Sequence, residues 1–307
     1  MRVLLLGFTL LVAAARAVPQ RERVVAITID DLPAVAASTD DWAVVTEHIL
    51  KTLDAYHAPA VGFVNERKLY VNDTLDSARV ALLSAWLRAG QELGNHTFAH
   101  RSANATPLAE YLDGITQGEI VTHELARRAG RPFRYFRHPQ LHTGRSLAYR
   151  DSVSRFLAAH GLTVAPVTVD NQEWVYARAY MLVKHRGDSA LTARVVRAYL
   201  HHLDSAFTYS EGLSRSVFGR DIPLVLLLHA NELNADHLAE VLERLRARGY
   251  RFASLPDVLA DSAYRSDDTY VGPAGMSWLI RWAETRGLRI PNEPREEGWI
   301  SELASGR

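Results

Sequence analysis

Two imidazoles stand four residues apart in Gly94-Asn95-His96-Thr97-Phe98-Ala99-His100. In a helical turn that spacing puts both rings on one face, where they can share one cation. Upstream, Ile27-Thr28-Ile29-Asp30-Asp31 reads as a buried strand delivering two adjacent carboxylates to its C-terminal end. A carboxylate and two histidines fill three positions around a metal and leave room for water and substrate. That is the pattern of a catalytic site rather than a structural one. Each half alone says little. A chain with 13 histidines meets the i, i+4 pair by chance, and Asp-Asp is commonly a solvated turn or helix start. Their combination, with a third polar stretch at His229, points to metal-assisted chemistry.

The chain has no cysteine, which excludes disulfides and thiolate sites, so a metal must be held by nitrogen and oxygen. Apolar residues make up 48% of 307, enough to build a full core and set disorder aside. Formal net charge is zero with no basic block, so nucleic acid is not an expected partner. Residues 1–17 read as an address: Arg2 is a positive n-region, 3–14 an apolar core, and Ala15-Arg16-Ala17 a small-residue cleavage site. The alternatives are a first buried helix or an uncleaved anchor, but the apolar run falls short of the ~20 residues of a span. Cleavage would leave 290 residues, with 33 basic against 35 acidic side chains. The expectation is a secreted or periplasmic protein with no membrane span in its mature form.

The elements that must position the polar residues follow from periodicity. Strands are expected over 24–29, 60–64, 133–136, 163–169, 224–228 and 250–253. Helices are expected through 42–53, 75–89, 108–128, 145–160 and 236–248, with Pro33 ending regular structure just past the aspartates. Strands alternating with helices argue for parallel βαβ units in an α/β fold. Asp30, Asp31, Arg137, Asp170 and His229 all fall just after an expected strand, on the face where α/β barrels place their chemistry. Residues 176–220 form an excursion with a helix capped near Asp188 or Ser189, which either walls the site or merely packs. The tail from 262 carries Trp278, Trp282 and Trp299. Trp278 and Trp282, at i and i+4, seal a helix onto the core or, if exposed, hold sugar rings. No repeat or low-complexity linker divides the chain. It reads as one catalytic domain over 18–307, with a helical insertion near 176–220 and a C-terminal extension near 262–307.

These residues resemble the polysaccharide deacetylases, the NodB-homology or carbohydrate esterase family 4 group, whose five short motifs occur here in order from Thr28 to His229. The resemblance implies a distorted (β/α) barrel of about seven to eight strands and a divalent metal, zinc first, with cobalt, manganese or nickel as alternatives. Thr28-Ile29-Asp30-Asp31 is similar to Thr-Phe-Asp-Asp, which makes Asp30 the catalytic base and Asp31 a metal ligand. His96-Thr97-Phe98-Ala99-His100 matches His-Ser/Thr-x-x-His, making both histidines ligands. Arg137-His138-Pro139 resembles the start of Arg-x-Pro-x-Gly, whose arginine orients the base, with Pro139 in the substrate-binding loop. Asp170-Asn171-Gln172-Glu173-Trp174 resembles Asp-Ser-x-Asp-Trp. By that likeness Glu173 or Asp170 supports the catalytic histidine and Trp174 lines the substrate groove. Leu227-Leu228-His229 matches Leu-x-His, giving an acetyl-methyl pocket at Leu227 and a general acid at His229.

Three positions depart from the pattern. Leu32 stands where the family has glycine after Asp-Asp, and Gln140-Leu141-His142-Thr143 precede Gly144 in the third motif, so the oxyanion donor is left open. Glu173 replaces aspartate. His138, His142, His201, His202 and His237 are set aside as structural.

The leading expectation is a metal-dependent deacetylase acting on an N-acetylated glycan of the chitin-oligomer or peptidoglycan type. The same site would serve an O-acetyl esterase on acetylxylan or, given Leu32, a hydrolase of a non-carbohydrate amide or cyclic imide. A glycan-binding protein with a vestigial site is the alternative of another class. Intact Asp30, Asp31, His96, His100 and His229 argue against it.

Overall fold

The structure, a computed structural model, describes residues 22–306, so the expected leader at 1–17 lies outside the described residues. Seven strands form one curled, wholly parallel sheet around β1 (Arg23–Val35). β2 (Ala60–Val64), β5 (Glu92–Asn95), β6 (Tyr135–Phe136) and β7 (Thr163–Val164) follow on one side, with a small ribbon of β3 (Tyr70–Val71) and β4 (Thr74–Leu75) outside the sheet. β8 (Leu224–Asn231) pairs along β1 on its other side, and β9 (Tyr250–Phe252) pairs with its first residues. Past β7, Val169 bridges in parallel to Leu226 of β8, bringing the two ends of the sheet together. This is the expected α/β fold, realised as a half-barrel closed by one bridge.

Helices cover the outside. α1 (Trp42–Ala55), α2 (Ser77–Arg88), α3 (Leu108–Gln117), α4 (Ile120–Arg128) and α5 (Leu147–Ala159) alternate with the early strands. α6 (Glu173–His185) and α7 (Ser189–Phe218) form the excursion, and α8 (Glu232–Ala247) follows β8. α9 (Leu255–Leu259), α10 (Trp278–Thr285) and α11 (Gly298–Ala304) make up the tail, α10 packing on α7 and α11 on α6. Among the described residues, no helix is long and apolar enough to cross a membrane.

Side-chain alternation on the strands decides what the site receives. Val25, Ile27 and Ile29 face outward into the main core, whereas Ala26 joins Val61, Phe63, Tyr135, Ala165 and Val225 inside the curl. By the same alternation Thr28 and then Asp30 stand above Ala26, at the open end of the interior. Trp278 and Trp282 are both buried and seal α10 onto the core.

Several boundaries differ from the expectation, each for a local reason. β1 does not stop at Pro33 but runs to Val35, because its register slips against both neighbours and a bulge tolerates a residue that donates no hydrogen bond. The helix expected over 108–128 is two helices. A Cβ on Gly118 would come within 2.6 Å of the Thr97 carbonyl carbon, so the chain breaks where another loop passes. The strand expected over 163–169 shrinks to two residues plus the bridge at Val169. Finally, α6 begins at Glu173, and α8 begins at Glu232 rather than 236, with Asn231 capping it through Asn234 N.

Candidate active site

Three strand ends and one loop meet at the open end of the half-barrel. Asp30 and His229 are register partners on β1 and β8, so backbone pairing alone puts base and acid candidates side by side. The next residue, Asp31, sits in the bulge with φ 68, a left-handed geometry that aspartate tolerates better than most side chains. The bulge turns its carboxylate toward the loop after β5.

That loop corrects the helical turn read from the i, i+4 spacing. His96 and His100 lie in irregular chain, with Thr97 at φ 63 and His100 at φ 54. A β-branched residue in that region is strained, and the surroundings hold it there. Asn95 Oδ1 accepts from Thr97 N at 2.7 Å, Thr97 Oγ1 from His100 N at 3.1 Å, and Gly114 O from Phe98 N at 2.8 Å. The ring centroids end 4.8 Å apart. His96 Nδ1 lies 2.8 Å from the Arg137 carbonyl, which can only accept, so Nδ1 carries the proton and Nε2 is a free electron pair. That Nε2 is 3.8 Å from Asp31 Oδ1, and His100 Nε2 is 3.5 Å from the same oxygen.

One nitrogen from each histidine and one oxygen of Asp31 lie within 4.8 Å of one another. With only nitrogen and oxygen donors and one orienting carbonyl behind His96, these groups fit a divalent ion of the zinc type. Burial pushes the His96 and His100 rings down to about 4, so both are neutral and ready to ligate at neutral pH. Burial alone would raise Asp31, but Lys68 and the two histidines outweigh it and hold the carboxyl well below the usual range. Lys68 was not anticipated. It comes from the turn after β2, where its Nζ donates to Asp31 O at 2.7 Å and lies 4.0 Å from Asp31 Oδ1.

Behind the donors, Arg137 is fully buried and spends its guanidinium on the interior wall. Nη1 reaches the Asp30 carboxylate at 3.3 and 3.4 Å, Nη2 donates to Thr28 Oγ1 at 2.9 Å and Nε to Ala165 O at 2.8 Å. Its plane lies over the Phe63 ring at 4.6 Å. Burial raises Asp30 above the ordinary carboxylate value, against the pull of Arg137 and His229. Arg137 therefore orients Asp30 and pulls against the effect of its burial without fully offsetting it.

His229 is held from α6. Glu173, buried at the first turn of that helix, takes the His229 ring at Nδ1, leaving Nε2 toward the cleft. Burial would lower this imidazole, yet the Glu173 hydrogen bond and charge, with Asp31 and Asp30 beyond, bring it up to about 9. Asp170 is not the supporting carboxylate. Its Oδ1 accepts from Gln172 N at 3.0 Å, and burial raises its pKa above the usual value.

The cleft above these groups has a volume of about 530 Å³. Trp174, 58% exposed, stands at its rim, which decides between a groove aromatic and a core one. Leu227 lines the floor, as expected. Pro139 is buried and does not line the cleft; Gln140 and Leu141 do, both at positive φ. Leu32 is also turned away, fully buried in the main core. One flank is apolar and was not foreseen: Val35 from the end of β1, and Ala177 and Met181 one turn apart on α6. Gly275, from the tail, touches the third-motif loop so closely that a Cβ would sit 1.8 Å from Gln140 O. No sequence pattern signals that contact.

Four of the five histidines set aside make structural contacts. His138 is buried against the Tyr111 hydroxyl at 3.0 Å, and burial lowers it to about 3. His142 pairs with Ser102, His202 packs on Tyr176, and His237 pairs with Glu240.

Residues 17–165 match the family model described as polysaccharide deacetylase. This stretch contains Asp30, Asp31, His96, His100 and Arg137 and stops short of Asp170, Glu173 and His229. Among solved structures, the chain is similar to a mutant, with restored enzymatic activity, of a family 4 pseudoenzyme from Bacillus anthracis. That match is 17% identical over 78% of this chain and 68% of the other, with a TM-score of 0.52. It is also similar to the peptidoglycan deacetylase PdaC from Bacillus subtilis, 20% identical over 80% and 94% of the two chains, TM-score 0.51. A third is the polysaccharide deacetylase Bc1974 from Bacillus cereus, 17% identical over 76% and 92%, TM-score 0.51. At these identities the likeness is one of fold. No curated protein matches the chain.

Proposed function

We propose that this protein is a metal-dependent deacetylase that hydrolyses the acetamido group of an N-acetylated glycan, of the chitin-oligomer or peptidoglycan type. The observation that carries the reading is the convergence of Asp31, His96 and His100 donor atoms within 4.8 Å of one another, with Asp30 and His229 on adjacent strand ends beside them. A divalent ion held by those three residues, zinc being the best match to the donor set, would polarise the acetyl carbonyl and acidify a water.

The chain's own groups supply the proton transfers. Asp30, oriented by Arg137, accepts a proton from the attacking water. His229, protonated through Glu173, gives a proton to the leaving amine, so the C–N bond breaks to acetate and free amine. Leu227 offers the acetyl methyl an apolar floor, and Trp174 offers a sugar ring its exposed face.

The apolar flank of Val35, Ala177 and Met181 favours a second reading, hydrolysis of a non-carbohydrate amide or cyclic imide with an apolar substituent. Acetate release separates the two. Acetylated chito-oligomers or acetylxylan should yield acetate with added zinc or cobalt, and lose it with chelator and in His96→Ala. Activity that survives chelation removes the metal mechanism. Absence of acetate from either glycan leaves the amide reading. We also propose export, on the pattern of residues 1–17; mass analysis of the mature N-terminus checks it, cleavage after Ala17 being the expected result.

A further inference from the structure

The stretch Asn65-Glu66-Arg67-Lys68 follows β2 and lies in none of the five motifs, yet it touches both segments that carry the metal donors. Toward β1, Asn65 N donates to Leu32 O at 3.2 Å, and Lys68 Nζ donates to Asp31 O at 2.7 Å and to Ala34 O at 3.4 Å. These carbonyls belong to the bulge, where β1 slips register against β2 and β8 and its backbone needs other donors. Toward the histidine loop, Asn65 Nδ2 donates to His96 O at 2.8 Å and Arg67 N to Phe98 O at 2.9 Å. The bulge bearing Asp31 and the loop bearing His96 and His100 are thus tied to the same four residues.

The stretch is itself anchored. Glu66 is fully buried, and its carboxylate accepts from Val121 N and Thr122 N at the start of α4, at 3.0 and 2.6 Å. Arg79 Nη1, from α2, donates to Lys68 O at 2.9 Å. Such an anchor has work to do. His96 carries its proton on Nδ1, so its Nε2 electron pair faces Asp31 Oδ1 at 3.8 Å, one acceptor opposite another. Two acceptors repel when no cation lies between them, so the force that keeps them converged must come from outside the pair.

We propose that residues 65–68 are the positioning element of the metal site, with Lys68 and Asn65 holding Asp31 and His96 face to face before an ion arrives. This rests on the metal-dependent reading and adds to it two side chains that touch neither ion nor substrate.

The test measures zinc affinity, by competition with a chromophoric chelator, in the wild type, Lys68→Met and Asn65→Ala, with urea unfolding of each metal-free protein alongside. Both variants should bind zinc about 10- to 100-fold more weakly, the cost of losing an outer-shell partner. The lysine arm decides by sign. Its ammonium stands 4.0 Å from Asp31 Oδ1, so a lysine acting by charge alone would oppose the cation, and its removal would tighten zinc. Tighter zinc in Lys68→Met, or unchanged zinc in either variant, overturns the proposal. The visible bands of the cobalt-loaded protein should also change in Lys68→Met as Asp31 shifts. A residue that merely stabilises the fold would lower the urea midpoint and leave both zinc affinity and those bands alone. If the lysine variant does not fold, the neutral Asn65→Ala arm decides. A wild type that binds no zinc ends the metal reading and the positioning role together, a result distinct from wild type and variants binding alike.

Discussion

Glu173 grips His229 twice. Its Oε2 accepts from the His229 backbone N at 3.1 Å and lies 2.8 Å from Nδ1 of the same residue, while Oε1 takes Asn231 Nδ2. One carboxylate therefore fixes both the end of β8 and the tautomer of its histidine.

Glu173→Gln should bring the His229 ring from about 9 to below the ordinary histidine value, since burial is then the main influence left. In the metal-free wild type the sign follows directly. A ring raised above its unfolded value contributes stability that is complete below about 6.5 and lost as pH rises through about 9. Histidine NMR titration and urea unfolding across that window check both statements. A Gln variant whose stability still falls between pH 6.5 and 9 by the same amount would sink the assignment.

Asp30→Asn and Asp31→Asn should part company. Asn tolerates the φ of 68 at position 31, so the second variant should fold and yet lose more than about 100-fold in zinc affinity, beyond what outer-shell changes cost. Asp30→Asn should keep zinc and lose turnover by about 100-fold or more, the scale of a missing general base. Equal loss of zinc in both variants would refute this division.

Acid should unfold the metal-free protein from its interior. His96 and His100, lowered to about 4, and His138, lowered to about 3, all resist protonation when folded. The unfolded chain takes up these protons from about pH 6.5 downward, so stability must fall between there and about 4. Denaturant midpoints between pH 7 and 4 measure it, and His138→Phe should flatten the slope.

Gly275→Ala tests the contact between tail and third-motif loop. With its Cβ 1.8 Å from Gln140 O, the backbone must move, and Gln140 and Leu141 line the cleft. Turnover should drop about tenfold or more while zinc affinity, set by β1 and the loop after β5, stays put. Unaltered kinetics would show that this loop does not shape the reaction.

Arg281 ties the tail to the same loop from inside. It is buried, donates to Thr143 Oγ1 at 2.9 Å and to Asp268 at 2.7–2.9 Å, and lies over the Trp278 ring at 4.4 Å. Its loss takes a donor from Thr143 and from Asp268, but Arg150 remains 3.4 Å from the Asp268 carboxylate, so Arg281→Ala should cost about 1–3 kcal/mol in urea unfolding. A loss below about 1 kcal/mol would mean the pair is solvated in practice.

What the sequence made legible was periodic or adjacent. The apolar runs before Asp30 and His229 marked strands, and the parallel βαβ order placed both at one end of a half-barrel. The unforeseen features arise from contacts between distant segments. No local signal says that Thr97 and His100 adopt left-handed geometry, because the loop is held by Gly114 and Gly118 of a later helix. Pro33 inside a strand contradicts propensity until the bulge beside it is seen. Lys68, Met181 and Gly275 carry no pattern of their own; Met181 and Gly275 reach the cleft, and Lys68 reaches Asp31, only because their elements pack there.

The tail begins some two hundred residues after the first aspartate, yet it finishes the wall on which the third-motif loop rests. In the order of synthesis Asp30, the histidine loop and His229 all precede the strap that braces their rim, so the donor groups can gather on the sheet before the wall beside them is in place.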